Sequence, residues 1–268
     1  MTHPSIHTAQ PHVARVYDYL LGGIESYASD RKLAASLLRI CPALGIAALE
    51  NRYFLARAVA WAAKQGVTQF VDLGAGAPVR KARAGVLEDI HVTAGAASAS
   101  ARVAYVDDDP VVLARSRAFR APARGVAVIA ADLTDPGSVL ANLGLRAVID
   151  LAQPVCFVFG LVLGLIPAAR ARDIVAGYMR QAAPGSYVVI SSGRCDDAAL
   201  WAQLSKEYTA AKVYNHARAE IEGCLDGLEL APPRIVAAQT WLGGRPEVPA
   251  ASPGPVYVLA AVARKRSA

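Results

Sequence analysis

The sequence predicts an α/β fold: a seven-stranded, mostly parallel sheet, preceded by a helical segment and ended by an antiparallel hairpin. Three observations predict it. Between residues 68 and 212, strand-like and helix-like runs alternate, the βαβα order of a parallel sheet with helices on both faces. The first 66 residues show helical spacing and no strand pattern. Near the C-terminus two strand-like runs are joined by a Gly/Pro-rich loop with no helix between them, which reads as a hairpin closing the sheet edge. The 268 residues are expected to form an α/β domain over 67–268, with residues 1–66 as a helical cap over its pocket.

Residues 1–10 are polar and irregular, a loose arm. Val13, Val16, Leu20 and Leu21 then recur at helical spacing, and Gly22-Gly23 ends that helix. Tyr17, Asp18 and Tyr19, just before its end, read either as amphipathic packing residues or as a lid over a pocket. Asp30 is placed to N-cap a helix over Arg31–Ile40, and a long helix is expected over Ala48–Lys64, closed by Gly66. The expected strands are Thr68–Leu73, Arg102–Asp107, Val126–Leu133, Val155–Val162 and Ser186–Ser192. Helices are expected between and after them at Lys81–Ala97, Pro110–Ala118, Pro136–Leu143, Ala168–Ala182 and Asp196–Lys212. The hairpin strands are Ile235–Leu242 and Val256–Ala263, joined by the loop Gly243 to Pro255.

Composition narrows the function. Cys41, Cys156, Cys195 and Cys224 stand far apart, with no CxxC and no Cys/His ligand spacing, so neither a metal site nor a disulfide framework is expected. They read as reduced thiols of a cytoplasmic protein. Met1-Thr2-His3-Pro4 lacks the profile of a signal peptide. The longest apolar run, Pro154 to Ala169, is too short to span a membrane and is broken by Gly160, Gly164 and Pro167. The net charge of +6 lies partly in Arg264-Lys265-Arg266, read as a solvated tail. No dense Lys/Arg patch interleaved with aromatics occurs, so neither nucleic acid nor membrane is an expected partner.

The chemistry is concentrated in Phe70-Val71-Asp72-Leu73-Gly74-Ala75-Gly76-Ala77-Pro78, an apolar strand running into a glycine turn. Such a turn lets backbone approach a ligand closely. The nicotinamide-dinucleotide fingerprint GxGxxG wants a small third residue, where this chain has Val79. The pattern is instead Asp-x-Gly-x-Gly. Strand two ends at Asp107-Asp108-Asp109-Pro110. A carboxylate there accepts from both hydroxyls of a ribose, which assigns Asp107, with Asp108 as a second candidate, while Asp109-Pro110 suits an N-cap and first helical residue. Strand three ends at Asp132-Leu133, an acid to accept from an adenine amino group and a backbone N–H for its ring. Three acids at the ends of three successive strands form a more specific signal than any one of them. Strand four lacks the Asn/Asp-Pro-Pro-Tyr/Phe motif of enzymes that methylate base amino groups, which argues against that substrate.

With these residues in hand, the chain resembles an actinobacterial family of S-adenosylmethionine (SAM)-dependent methyltransferases long known as a domain of unknown function. The carrying segments are Ala14-Arg15-Val16-Tyr17-Asp18-Tyr19-Leu20-Leu21-Gly22-Gly23, Asn51-Arg52 with Phe54-Leu55, the Asp72 to Gly76 turn, Val103 to Ala114, Ala131 to Pro136, Pro184 to Tyr187, and Asp226-Gly227-Leu228-Glu229-Leu230. The resemblance implies a Rossmann-like methyltransferase sheet with SAM as cofactor, held by Asp72, Gly74, Ala75, Gly76, Asp107, Asp108, Asp132, Leu133, Tyr19 and Gly23. The chain departs from the family in three places. Ile24-Glu25-Ser26 stands where the family has Lys-Asp-Asn. Asp89-Ile90-His91 stands for Asn-x-His, after extra residues around 80–85. Gly164 stands where the family carries a His.

Methyl transfer needs position and exclusion of water, and a base only where the nucleophile is protonated. His91, Tyr17, Tyr19 and Glu25 are the base candidates, and Asp18, His12 and His216 also carry suitable groups. Phe159, Leu163 and Trp201 are candidates for the acceptor's site. The expected acceptor is a small molecule of secondary metabolism, and a homodimer is the expected assembly. The competing reading is a SAM-binding sensor or partner subunit without transfer activity.

Overall fold

The computed structural model describes residues 8–78, 88–243 and 254–266. The expected helical start at Lys81, the extra residues around 80–85 and most of the hairpin loop lie outside these ranges. Three helices come first: α1 (Val13–Leu20), α2 (Ala28–Ile40) and α3 (Ala43–Lys64). Gly22 and Gly66 take positive φ, +78° and +91°, at the ends of α1 and α3, a backbone region open to glycine. α2 starts earlier than Asp30 as N-cap predicts. Asp30 is its third residue, and its carboxylate reaches back to accept the Tyr27 N–H at 2.8 Å.

The α/β part follows: β1 (Gln69–Leu73), α4 (Ile90–Ala97), β2 (Arg102–Asp107), α5 (Pro110–Phe119), β3 (Val126–Ala130), α6 (Pro136–Ala141), α7 (Leu143–Arg146), β4 (Cys156–Gly160), α8 (Ala168–Gln181), β5 (Tyr187–Cys195), α9 (Ala198–Glu207), α10 (Arg218–Gly223), β6 (Glu229–Leu230), β7 (Val236–Ala237) and β8 (Val256–Arg264). The sheet order is β3-β2-β1-β4-β5-β8-β6, with β7 also on β8. β1 to β5 run parallel, and β8 is antiparallel to β5, β6 and β7. The carboxyl ends of β1, β2 and β3 therefore lie side by side, as the acid pattern requires.

Both faces of the sheet are covered, which is why its strands read as unbroken apolar runs. Val71, Leu73 and Phe157 pack on one face against Ile174, Val175 and Tyr178 of α8. Phe70 and Val158 pack on the other against Phe54, Ala58 and Val59 of α3. α3 is thus part of the sheet's own sandwich. α1 and α2 form a separate cluster with α9 through Val16, Leu33, Leu37 and Leu204, and this cluster roofs the carboxyl ends of the strands. Among the described residues no single helix is long and apolar enough to cross a membrane.

Two C-terminal expectations change. The strand expected over Ile235–Leu242 pairs only at Val236 and Ala237. The chain then turns, because Trp241 swings into the core, edge-on to Phe54 at 5.4 Å and to Trp61 at 6.0 Å. Arg57 holds the turn by donating to the Trp241 and Ala238 carbonyls at 3.0 and 2.6 Å. β6 supplies the additional strand. The basic tail is not merely solvated: Lys265 donates to the carbonyls of Met179 and Ala182, both at 2.8 Å, and so caps the C-terminus of α8.

The roof is fixed by a buried ion pair. Arg15 of α1 donates to Asp30 at 2.8 Å, and Asp30 also accepts the backbone N–H groups of His12 and Tyr27. Removing one partner leaves an uncompensated charge in the interior. Asp30→Ala is therefore expected to lower stability by about 3–5 kcal/mol, measured by urea unfolding.

Candidate functional site

The glycine turn is built by its neighbours. The N–H groups of Gly74 and Ala75 donate to the Val106 carbonyl at 2.9 and 3.1 Å, and that of Gly76 donates to the Asp107 carboxylate at 3.0 Å. Gly74 has φ +71°, and a Cβ there would stand 2.7 Å from the Val162 side chain. No side chain fits between the turn and the segment after β4. The other Asp107 oxygen accepts the Asp109 N–H at 3.0 Å, and Asp109 caps α5 through Val111 and Val112. Asp107 therefore ties the ends of β1 and β2 together.

Beneath the turn lies Arg120, with no exposed surface. It donates to Asp89 through two nitrogens at 2.8 and 3.1 Å, to the Gly76 carbonyl at 2.9 Å and to the Ala77 carbonyl at 3.3 Å. Its guanidinium lies 4.2 Å from the Tyr105 ring centre. Sequence reading missed Arg120, because an arginine at a helix end, among Arg117 and Arg124, looks like surface charge. Asp89 is therefore a fixed ionic partner of the turn.

Above the turn opens a cavity of about 470 Å³. Of the acids read from sequence, Asp72, Asp107, Asp108 and Asp132 all line it, with Gly74, Ala75, Gly76 and Leu133. Asp72 is buried and makes no hydrogen bond or ion pair with its carboxylate among the described residues. Burial pushes its pKa up to about 6, against the pull of Arg120 and Arg52. Burial also raises Asp107, against its backbone hydrogen bonds. Asp132 accepts the Thr134 N–H and hydroxyl, both at 2.8 Å.

His12 and Tyr17 of the roof and Asn51 of α3 line the same cavity. The Tyr17 hydroxyl donates its only proton to the Ala48 carbonyl at 3.1 Å, so it accepts from the Asn51 amide at 2.8 Å. That choice fixes the amide's orientation and leaves Asn51 Oδ1 buried without a partner. Tyr17 is a buckle between α1 and α3, and burial raises its pKa further. Neither it nor Asn51 could be assigned such a geometry from sequence.

Several expected site residues stand elsewhere. His91 does not line the cavity. Its backbone N–H donates to the Tyr105 hydroxyl at 2.9 Å, and its Nδ1 meets the same hydroxyl at 2.9 Å. Burial lowers its pKa. Glu25 lies outside and pairs with Arg115 at 2.8 Å. Tyr19 packs into the roof cluster. Gly23 lies outside too: a Cβ there would sit 2.1 Å from the Asp18 carboxylate, which accepts the Glu25 N–H at 2.8 Å. Phe159 and Leu163 are fully buried in the core, where Phe159 meets Tyr178 at 5.7 Å, so neither faces an acceptor. Trp201 does line the cavity.

Comparison with known proteins agrees with this geometry. A family model described as S-adenosyl methyltransferase matches residues 1–266. The chain belongs to that family. Two solved structures share 32% identity with it: a methyltransferase candidate from Thermobifida fusca YX (TM-score 0.88, covering 97% of this chain and 96% of that one) and a DUF574 family protein from Streptomyces avermitilis MA-4680 (TM-score 0.89, 97% and 100%). A magnesium protoporphyrin IX methyltransferase from Synechocystis PCC 6803 with bound S-adenosylhomocysteine (SAH) shares the Rossmann-like fold at 13% identity (TM-score 0.53, 93% and 92%). No curated protein matches. The chain is a SAM-dependent methyltransferase, and SAM is its cofactor.

The Asp72 carboxyl has a measurable signature. Its folded pKa of about 6 lies above the ordinary value of 3.8, so the folded protein binds this proton more tightly than the unfolded chain. Stability therefore falls as pH rises from about 4 through about 6, and the whole penalty is present at pH 7.5. Asp72→Asn, which cannot ionise, is expected to be more stable than the parent by roughly 2–3 kcal/mol at pH 7.5 and equal to it near pH 4, by urea unfolding at both pH values.

Proposed function

We propose that the chain transfers the methyl group of SAM to a small-molecule acceptor bound in the same cavity. The observation that carries this reading is the division of that cavity. One end is acidic, with Asp72, Asp107 and Asp132. The other, formed by the roof helices, β5 and β8, is apolar, with Leu37, Leu204 and Val256.

The acidic end fits SAM by its donor set. Asp72 is a buried carboxylate with no direct cationic partner, which a ligand's ammonium group would neutralise. Asp107 uses one lone pair of each oxygen on backbone N–H groups and keeps others for the two ribose hydroxyls. Asp132 and Leu133 line the same end, where an acid and a backbone N–H would suit an adenine edge. The partnerless Asn51 oxygen offers one more acceptor. SAM, when bound, supplies a methyl carbon made electrophilic by its sulfonium centre. The chain's own residues position and shield. The Tyr17–Asn51 buckle holds α1 over the site, His12 reaches Asp109 at 3.3 Å, and the apolar roof keeps water from the acceptor.

Calorimetric titration with SAM, SAH and NADH tests the cofactor half: the first two bind and the third does not. SAM binding without SAH production, in incubation with a cell extract, would favour the sensor reading. Asp107→Ala is expected to weaken SAM binding by about 1.5–3 kcal/mol, the range for a hydrogen bond to a charged group, by the same titration. Unchanged affinity in the folded variant removes Asp107 from the site.

A further inference from the structure

The apolar end of the cavity is short of charge. Leu37, Leu44, Leu165, Leu204 and Val213 form its walls. Among the described residues the charged lining residue on this side is Arg194, and it is engaged: Nε donates to Asp196 at 2.7 Å, and Nη1 reaches the Asn215 and His216 carbonyls at 3.4 and 3.5 Å. The Cys195 thiol donates to the Asp197 carbonyl at 3.2 Å. Lys212, whose ammonium lies 5.2 Å from the Tyr214 ring centre, is exposed and does not line the cavity.

Three polar side chains of this wall take no protein hydrogen bond among the described residues: Trp201, Tyr208 and Tyr214. All three are neutral groups on aromatic rings. Burial raises the Tyr208 pKa, so its phenol stays protonated. An ionised acceptor entering here would lose water and meet no free counter-charge among the described residues, a costly transfer. A neutral ring would gain from buried apolar area and from edge or face contacts with these aromatics. A hydroxyl or amine on that ring would meet hydrogen-bonding groups that are not already committed.

Resting on the methyl-transfer reading above, we infer that the acceptor is an uncharged, ring-bearing molecule with a hydrogen-bonding substituent, and that Trp201, Tyr208 and Tyr214 select it. Anionic and cationic acceptors of the same size are excluded by the missing counter-charge, not by shape.

The test is a charge series on one ring. 2-Naphthol, 2-naphthoate and 2-(aminomethyl)naphthalene are titrated calorimetrically at pH 7.4 into the full chain saturated with SAH. 2-Naphthol is expected to bind at least about tenfold tighter than either ion. Val213→Asp, in the wall and away from the acids, is expected to weaken 2-naphthol by about tenfold and leave SAH affinity unchanged. Tyr208→Phe, which keeps the ring, is expected to cost 2-naphthol about fivefold. Either ion binding as tightly as 2-naphthol overturns the inference, as does 2-naphthol binding that ignores Val213→Asp. SAH binding with no 2-naphthol binding sinks the acceptor class alone. Loss of SAH binding sinks the methyl-transfer reading, and the charge preference is then read on the protein without SAH.

Discussion

The glycine turn of this molecule depends on one buried cation. The Arg120 guanidinium has no contact with solvent, and its donors go to the Asp89 carboxylate, the Ser116 hydroxyl and two carbonyls of the glycine turn. A planar fork with five donors can satisfy such a set, and a lysine could not. Its position has two consequences. The turn between β1 and α4 is held from below by side-chain donors, so its upper face stays open to a ligand. The same positive charge also reaches Asp72 and tempers a carboxyl that burial would otherwise push higher. Asp107 holds the turn from the side. Two side chains, one after α5 and one at the end of β2, thus determine where the glycine backbone lies.

Asp72 shows what this arrangement costs. A carboxylate at the end of a fully buried strand is unfavourable to the folded chain above its pKa. An apolar residue would make β1 more stable and would remove the one buried acid that, among the described residues, faces the cavity without a partner. Sites that bind charged ligands commonly carry such unbalanced groups, and stability is lost where function requires it. Asn51 repeats the pattern on a smaller scale, since the bond that fixes Tyr17 leaves the amide oxygen unsatisfied. The unsatisfied groups come from β1 and from α3, and they meet in one cavity.

Much of this frame was legible in the sequence. The βαβα alternation gives β1 to β5 directly, because strands buried on both faces read as apolar runs. The acids at the ends of β1, β2 and β3 stood out because such runs stop at charge. Contacts distant in sequence were hidden. Arg120 reads as a surface arginine until its fold places it under the turn. His91 reads as a free imidazole until the Tyr105 hydroxyl is seen to take both its backbone N–H and its ring nitrogen. Phe159 and Leu163 lie beside residues that line the cavity, but the alternation of side chains along β4 and the turn after it sends both into the core. Trp241 ended a predicted strand for the same reason: burying an indole against Phe54 and Trp61 outweighs continuing a ladder.

The places where the chain departs from the family's pattern acquire a physical meaning in this fold. Glu25, in the altered segment after Gly23, forms an ion pair with Arg115 of α5 and so ties the roof to the helix that follows β2. Gly164 lets another segment come down onto the turn after β4. The Tyr214 N–H donates to the Gly164 carbonyl at 2.8 Å, and a Cβ on Gly164 would already stand 3.9 Å from the Tyr214 carbonyl oxygen. A Cβ alone would fit there in ordinary van der Waals contact. The space is used by Tyr214, stacked on His216, whose Nε2 lies 3.0 Å from the Ile166 carbonyl. Because a carbonyl can only accept, His216 holds its proton on Nε2, and its imidazole is committed to anchoring the segment that carries Tyr214. Losing a polar side chain at Gly164 therefore removes one from the turn and brings an aromatic wall into the apolar end of the cavity. Two of the departures thus lie after α1 and at the wall of the cavity's apolar end, and the third, at Asp89 and His91, lies where Arg120 supports the glycine turn, whose own glycines and acids keep the family pattern.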